Sequence, residues 1–373
     1  MRIARLRLRD FRSYIAADVR VGPGVTVVHG RNGAGKTNLL EALYVGCTGA
    51  SWRTASDREL VRFGADVARI ELDAEAEDGA HAFSVGLEPG KRKRLRADGV
   101  AVDRLADVAA RPLAAVFLPD RVDLVKGGPA LRRAHVDQVV AALWPARAGT
   151  RRDYGRALAQ RNALLARGGP GAERSLDAWD AELARHGAEL MADRAAAVAE
   201  LAPRFTALAE ELGLDGGAEL SYRPRARATD ATGLAAELRE RRARDLERRF
   251  TAHGPHRDDL GLARAGRDLR PFGSQGQQRL AVLALLLAER EAIGEVRGTP
   301  PVMLLDDAMS ELDTGRRERL VARLRGEAGG GPAGQSVITT TDLAAVPGAD
   351  APETTRLAVA EGVVLSEAEA HAA

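Results

Sequence analysis

The stretch that decides the fold is GRNGAGKT at residues 30–37, which reads Gly30, Arg31, Asn32, Gly33, Ala34, Gly35, Lys36 and Thr37. It matches the pattern G-x-x-x-x-G-K-[ST] of a phosphate-binding P-loop. The glycines allow backbone N–H groups to converge on phosphate oxygens, and a helix that begins near Lys36 directs the positive end of its dipole at the same anion. Lys36 is expected to reach the β- and γ-phosphates of ATP, and the Thr37 hydroxyl is expected to be a ligand of Mg²⁺.

The residues on either side of this loop support the same interpretation. The β-branched run 25–29 predicts a buried strand, and apolar leucines predict a helix from about Thr37 to Tyr44. A glycine-rich turn can match the motif by chance, but a strand, a glycine loop and a helix in this order make chance matches rare. Lysine is also rare in this arginine-rich chain, so the compact ammonium of Lys36 indicates a specific requirement.

A second motif lies at residues 304–307, where Leu304 and Leu305 precede Asp306 and Asp307. The apolar run 301–305 predicts a buried strand, and ligands bind at the carboxyl ends of parallel strands. Asp306 is expected to hold Mg²⁺ through water, and Asp307 is expected to polarise or deprotonate the attacking water. The alternative is that the two aspartates cap the helix that follows.

A third motif begins a predicted helix at residues 274–289 and reads Gly273, Ser274, Gln275, Gly276, Gln277, Gln278 and Arg279. Ser274 and the helix N-terminus form a second anion site, or else Ser274 is an ordinary N-cap. The segment resembles the signature motif of the ABC-type ATPases, and residues 310–313 resemble their D-loop. This resemblance implies that residues 274–277 contact the γ-phosphate of a nucleotide on the opposite subunit, so that ATP joins two heads.

The remaining chain divides into an α/β part and a helical part. Short strands with turns between them are predicted over 66–103 and indicate a β-meander, whereas 127–249 shows helical spacing of leucines, with Pro203 expected to kink or restart a helix. The fold class is therefore α/β: a P-loop ABC-type ATPase head with a flanking β-meander and an inserted helical subdomain. We expect the head to comprise 1–125 and 250–373, and the insertion (lobe II) to comprise 126–249.

Composition excludes several classes of protein. The 55 basic and 53 acidic residues leave a formal charge of +2, so net charge does not predict nucleic-acid binding. One cysteine, Cys47, permits no intrachain disulfide and favours a reducing, cytoplasmic location. The first five residues have no apolar run after their charges, so they are not expected to be a signal peptide, and the longest apolar stretch is too short to span a bilayer, so no membrane association is expected.

Two arginine-rich runs are candidates for phosphate contacts. The first is Lys91-Arg92-Lys93-Arg94-Leu95-Arg96, and the second comprises Arg241, Arg242, Arg244, Arg248 and Arg249. Either run suits phosphates without sequence readout, but an ordinary solvated face is an equal alternative. His256 and Arg257 are equally open to a nucleotide-linked role or a structural one.

Several segments along nearly the whole chain resemble the RecF family. They are Leu6 to Tyr14, Leu118-Pro119-Asp120 through Pro129, Gln160-Arg161-Asn162, and Gly254-Pro255-His256-Arg257-Asp258-Asp259 running on to the signature motif. The resemblance implies an ATP-dependent homodimer that binds duplex DNA, gapped DNA or a duplex/single-strand junction. It also implies action with RecO and RecR to load RecA in replication, recombination, DNA damage repair and the SOS response.

The resemblance further implies a weak, DNA-stimulated ATPase whose hydrolysis drives release. Asp307 is one methylene shorter than the glutamate of faster relatives, and residues 339–342 carry threonine and aspartate where transporter ATPases have a histidine. A Q-loop glutamine is not assigned. The alternatives are a transporter-type ATPase subunit, which the long insertion and missing histidine oppose, and a chromosome-structural head, which would need longer coiled-coil arms.

Overall fold

The computed structural model describes residues 1–108, 110–118, 122–168, 172–327 and 334–365, except the side chains of 172–174 and 311. Pro119, Asp120, the glycine-rich break at 169–171, most of the loop predicted at 326–334 and the tail after Leu365 therefore lie outside the described residues. The chain forms two compact units. The first is Met1–Arg121 with Ile293–Ala373, and the second is Val122–Ala292.

The limits of the two packing units differ from those predicted for the head and the insertion. Residues 250–292, which were predicted to belong to the head, pack within the second unit. The predicted limits, 1–125 with 250–373 and 126–249, describe an ATPase head rather than a packing unit, and they stay a prediction. The signature motif belongs to the second unit, whereas the P-loop and the Asp306-Asp307 pair belong to the first.

The strands, in chain order, are β1 Arg2–Phe11, β2 Tyr14–Arg20, β3 Val25–His29, β4 Ala68–Ala76, β5 Gly79–Leu87, β6 Arg94–Ala97, β7 Val100–Val102, β8 Ala114–Phe117, β9 Ala218–Arg223, β10 Asp259–Arg264, β11 Arg267–Asp268, β12 Val302–Leu305, β13 Ser336–Thr340, β14 Thr355–Ala360 and β15 Val363–Leu365. The helices are α1 Lys36–Thr48, α2 Asp123–Lys126, α3 Pro129–Leu143, α4 Thr150–Arg167, α5 Ala172–Glu211, α6 Ala231–Glu240, α7 Arg242–Arg248, α8 Leu269–Phe272, α9 Gln275–Arg297 and α10 Thr314–Arg325.

Two sheets build the first unit. One is antiparallel in the order β2-β1-β4-β5-β6-β7, which confirms the predicted meander. In β1 the apolar residues Ile3, Leu6, Leu8 and Phe11 are buried, while arginines on the outer face pair across the sheet, as Arg7 does with Glu71 and Asp73. One face of β1 therefore packs in the core, and the other forms ion pairs across the sheet.

The second sheet has the order β15-β14-β3-β13-β12-β8, parallel except for the pairing of β14 with β15. Strands β3, β13 and β12 are buried along most of their length, as the β-branched and apolar runs predict. Their carboxyl ends meet at one edge, because parallel neighbours end side by side. One buried core includes residues of both sheets and of α1.

The side chain of Gln335 connects the two sheets of this unit. Its Oε1 accepts from Ile3 N at 2.8 Å, and its Nε2 donates to Ile3 O and Gly22 O, each at 2.7 Å. A buried amide with both ends bonded to backbone satisfies groups that neither sheet pairs itself.

The second unit is less purely helical than expected. Helices α3 to α7 are present, but β9 pairs with β10, and β10 with β11, in a three-stranded antiparallel sheet that the sequence analysis missed. Helix α5 runs for 40 residues and continues through Pro203, so no helix restarts there. Near the proline, Arg204 Nη1 donates to Glu200 O and Thr206 Oγ1 donates to Ala202 O, which gives these carbonyls additional donors.

Candidate nucleotide-binding site

The P-loop follows β3 and needs its glycines for steric reasons. Gly30, Gly33 and Gly35 have φ values of 154°, 80° and 116°, which other residues rarely adopt. A Cβ at Gly30 would lie 2.1 Å from Val359 O of the neighbouring strand β14. The loop therefore has the backbone conformation and close approach that a phosphate cradle requires, and α1 begins directly after it at Lys36.

Lys36 lies at the mouth of this loop with its ammonium directed at backbone. Nζ donates to Gly30 O at 2.7 Å and to Arg31 O at 2.9 Å. Burial lowers the pKa of Lys36, and the nearby carboxylates of Asp307 and Asp306 act in the opposite direction. A phosphate oxygen is a stronger acceptor for an ammonium than a carbonyl is, so these contacts suit exchange for an anion.

Asp306 is the point at which the separate motifs meet. Thr37 Oγ1 lies 3.0 Å from Asp306 Oδ1 and 2.8 Å from Oδ2, and Thr339 Oγ1 donates to Oδ1 at 2.7 Å. The order β3-β13-β12 places Thr339 on the strand between the P-loop strand and the Asp306 strand. A hydroxyl beside a carboxylate at the phosphate end of a P-loop is the oxygen donor set that Mg²⁺ accepts in such sites.

Asp307 differs from Asp306 in conformation and in partners. Its φ of 47° is left-handed, its N donates to Thr339 Oγ1 at 2.9 Å, and its O accepts from Ser310 Oγ at 2.8 Å. Among the described residues its carboxylate makes no hydrogen bond or ion pair, and it does not cap the turn Ala308–Glu311. The capping alternative is therefore wrong for Asp307, whose half-buried carboxylate is available to a water molecule.

Ser274 caps α9, as the simpler alternative suggested. Ser274 Oγ accepts from Gln277 N at 3.3 Å, and Gln277 Oε1 accepts from Ser274 N at 2.9 Å, which is a reciprocal capping box. Ser274, Gln275 and Gly276 are exposed. The cap leaves this face of the helix N-terminus accessible, so the role of Ser274, Gln275, Gly276 and Gln277 toward a nucleotide on another subunit stays a prediction.

A buried carboxylate behind the P-loop is a feature that the sequence analysis missed. Glu41 of α1 is fully buried and accepts two hydrogen bonds from Arg12, at 2.9 and 2.8 Å, one from Ser51 at 2.6 Å and one from Arg53 at 3.2 Å. Arg53 also donates to Asn38 Oδ1 at 2.9 Å. The one signal in the sequence was an acid among the leucines of α1. The network orients the first turns of the helix that carries Lys36.

The two arginine-rich runs differ in how their charges are used. In the first, Lys91, Arg92, Lys93 and Arg94 form ion pairs with Glu88, Asp103, Asp57 and Glu88 respectively. In the second, Arg242 bonds to Asp177 and Asp180, but Arg244, Arg248 and Arg249 form no ion pair in the described part of the chain. The second run therefore keeps more free positive charge.

His256 has a structural arrangement of hydrogen bonds. Nε2 donates to Thr251 O at 3.0 Å, and Nδ1 lies 2.7 Å from Tyr154 Oη, whose hydroxyl can donate to the neutral ring. Burial, together with the charges of Arg257 and Arg133, lowers the pKa of His256 to about 4. The ring is therefore uncharged at neutral pH.

Two other classes of site can be considered for the described residues. No helix there is both long and apolar enough to cross a membrane. No cluster of three or more histidine, cysteine, aspartate or glutamate side chains suited to a metal occurs among them. Thr37 and Asp306 supply two oxygen donors, and a Mg²⁺ site of this kind takes further ligands from substrate phosphates.

Comparisons with known proteins agree with this geometry. The family model described as RecF/RecN/SMC N terminal domain matches residues 2–356. The DNA replication and repair protein RecF of Anaeromyxobacter sp. (strain Fw109-5) is 40% identical over 374 residues, covering 98% of this chain and 99% of that protein.

Solved structures give the same result. The recombination mediator protein RecF with ATP, from the RecFOR pathway, matches with a TM-score of 0.84 and 27% identity over 98% of this chain and 97% of that one. An Smc head bound to the C-terminal winged-helix domain of ScpA matches with a TM-score of 0.59 and 16% identity, covering both chains in full, which shows a shared fold alone.

The neutral state of His256 predicts a dependence of stability on pH. The pKa of His256 is lowered from 6.5 to about 4 in the folded state, so the unfolded chain binds a proton first as the pH falls. The free energy of unfolding should therefore be highest above pH 6.5 and should decrease as the pH falls toward 4. Between pH 7 and pH 5 the loss should be about 2 kcal/mol, and His256→Gln should remove it. Urea unfolding at several pH values measures this.

His81→Gln is the matched control, because Asp98 and Asp78 raise the pKa of His81 rather than lower it. This variant should still lose stability between pH 7 and pH 5. A wild-type pH dependence in His256→Gln would contradict the assignment of His256 as the titrating group.

Proposed function

This chain belongs to the RecF family, whose members share the RecF/RecN/SMC N-terminal domain, and from that premise we propose that it is an ATP-controlled DNA-binding protein of replication and recombinational repair. The observation that carries the proposal is the meeting of Lys36, Thr37, Asp306 and Thr339 at one sheet edge. The ATP-bound RecF structure with the same fold supports ATP as the nucleotide.

The roles of the site residues follow from their positions. The backbone of residues 30–37 holds the phosphates, Lys36 binds the β- and γ-phosphates, and Thr37 and Asp306 hold Mg²⁺. Bound ATP with Mg²⁺ supplies a transferable phosphoryl group whose charge the cation partly neutralises. Thr339 keeps the Asp306 carboxylate turned toward Thr37, while Asp307 orients or deprotonates water.

Nucleotide binding controls assembly in this proposal. The exposed N-terminus of α9, with Ser274, Gln275, Gly276 and Gln277, adds the donors that complete the γ-phosphate site of a second copy. ATP thus stabilises a head-to-head homodimer on duplex DNA, gapped DNA or a duplex/single-strand junction. The exposure of these residues supports an interaction in trans, since the capping box uses only one face of the helix end.

Hydrolysis is slow and serves release. The Asp307 carboxylate is one methylene shorter than glutamate and therefore reaches less far toward a water molecule, so we propose a weak, DNA-stimulated ATPase in which ATP acts mainly as a switch. The RecFOR pathway named for the related structure supports RecO and RecR as partners, with RecA loading as the outcome in the cytoplasm. No observation favours a transporter-type or chromosome-structural role.

The proposal predicts that ATP promotes both dimerisation and salt-sensitive DNA binding, and that Lys36→Ala loses both because the ammonium no longer binds the phosphates. Binding to duplex and gapped DNA is measured with ATP, with ADP and without nucleotide at two salt concentrations, with dimerisation followed by sedimentation. Tight ATP binding without DNA binding in any state would leave the nucleotide site intact and contradict the proposed function.

Ser274→Ala tests the assembly separately. Hydrogen bonds to charged groups contribute about 1.5–3 kcal/mol, so losing one at each of two sites should weaken the ATP-dependent dimer at least roughly a hundredfold. ATP binding by the monomer should be unchanged.

Asp230→Ala is the matched control, because Asp230 caps α6 by accepting from Gly233 N at 2.7 Å and its loss also removes a helix cap. If the two variants dimerise with equal affinity in the presence of ATP, Ser274 acts only as a helix cap and does not contact the nucleotide of a second copy.

A further inference from the structure

Arg257, in the loop 254–258, and the neighbouring Arg133 lack the carboxylate partners that the nearby buried arginines have. Arg132 bonds to Asp259 at 2.6 and 2.9 Å, and Arg194 bonds to Asp137 at 2.8 and 3.0 Å. Arg133 and Arg257 form no ion pair in the described part of the chain. Their charges are therefore not neutralised by a directly paired carboxylate.

The loop that carries Arg257 is held from several directions. Arg194 Nη1 donates to Pro255 O at 2.7 Å, and Arg133 Nη1 donates to Asp258 O at 2.8 Å. The Asp258 carboxylate accepts from Arg225 N at 2.7 Å and from the hydroxyl of Tyr222. Arg257 is thus an exposed side chain on a turn whose backbone is fixed, which lowers the entropy lost when it binds a ligand.

The balance of charge around the turn is positive. The Asp258 carboxylate lies between Tyr222 and Arg194, and Asp259 is bonded to Arg132, while His256 is neutral at pH 7. Burial and the charges of Arg194 and Arg257 lower the pKa of Arg133, whereas Asp259 and Asp258 act in the opposite direction. An anion placed beside Arg133 and Arg257 would relieve the repulsion between them.

An aromatic side chain extends this surface toward the second arginine-rich run. The Arg257 guanidinium carbon lies 5.7 Å from the centroid of the Phe250 ring, and Phe250 is 41% exposed. Arg249 precedes it with a left-handed φ of 61° at the C-terminus of α7, a position that glycine occupies more readily. Arg249 therefore adds an exposed positive charge next to Phe250.

The chemistry of these groups favours phosphates over bases. Arginine presents planar donors that match phosphate oxygens, and contacts of this kind carry no sequence information. The first arginine-rich run is as basic in sequence, but its residues 91–94 are each paired with a carboxylate. Unpaired charge, rather than density of arginine, distinguishes the surface at this turn from residues 91–94.

We infer that Arg133 and Arg257 bind the phosphodiester backbone of DNA, with Arg249 and Phe250 extending the same surface. This inference rests on the proposed function, since it names where the DNA lies on the second unit. The two arginines act as phosphate contacts and have no part in nucleotide binding.

The test is the salt dependence of duplex DNA binding in the presence of ATP. Each lost phosphate contact should reduce the magnitude of the slope of log K against log salt by about 1, and a homodimer carries each substitution twice. Arg257→Gln should therefore reduce that magnitude by about 2 and the Arg133→Gln, Arg257→Gln double variant by about 4. Arg257→Lys, which keeps the charge, should retain most of the slope. Arg257→Gln removes no described hydrogen bond, so its fold should be unaffected.

Arg92→Gln is the matched control, because it removes an exposed arginine that is paired with Asp103, and it should leave the slope unchanged. A wild-type slope in both glutamine variants, with ATP-dependent dimerisation intact, would overturn the inference while leaving the proposed function standing, and would favour an acidic protein surface as the ligand. Loss of dimerisation in Arg257→Gln would also overturn it. Absence of DNA binding by the wild-type chain would defeat both proposals.

Discussion

The rest of the structure depends on how the Asp306 carboxylate is held. Thr37 approaches it from the first turn of α1 and Thr339 from the carboxyl end of β13, and Asp307 N bonds to the same Thr339 hydroxyl. This requires β3, β13 and β12 to be adjacent, parallel and in register, with Ile338 opposite Leu305 and Thr339 opposite Val28. A slip of one residue in β13 would turn Thr339 to the other face of the sheet and leave Asp306 with one hydroxyl.

Several contacts of the first unit stabilise the sheet edge at which β3, β13 and β12 end. Gln335 bonds the backbone of the meander to the segment entering β13, so the two sheets fix each other. The Glu41 network holds α1 from behind, and Gly30 lets the loop approach β14 closely. These contacts use buried polar groups with most of their bonding capacity satisfied, which favours one arrangement over many of similar energy. A preformed cradle loses less entropy when an anion binds.

The sequence predicted the features that depend on neighbours in the chain and failed for those that depend on distant partners. Val25–His29 and the P-loop have local signals, namely β-branched residues and glycines at set spacing, and both were predicted correctly. Strand β9 was missed because its partner β10 lies far along the chain, and continuation of α5 through Pro203 depends on tertiary packing that overrides local preference. Which arginines remain unpaired is likewise not visible in sequence, since Arg92 and Arg257 look alike until their neighbours are known.

The central claim is that Asp306 and Thr37 hold the metal that accompanies ATP. It is tested most directly by measuring the affinity for ATP with Mg²⁺ and with excess chelator, in the wild-type chain and in Asp306→Asn and Asp307→Asn. The account predicts that Mg²⁺ tightens ATP binding in the wild type and in Asp307→Asn but not in Asp306→Asn, whose affinity without metal stays close to that of the wild type. An undiminished effect of Mg²⁺ in Asp306→Asn would contradict the account, because the metal would then be held elsewhere.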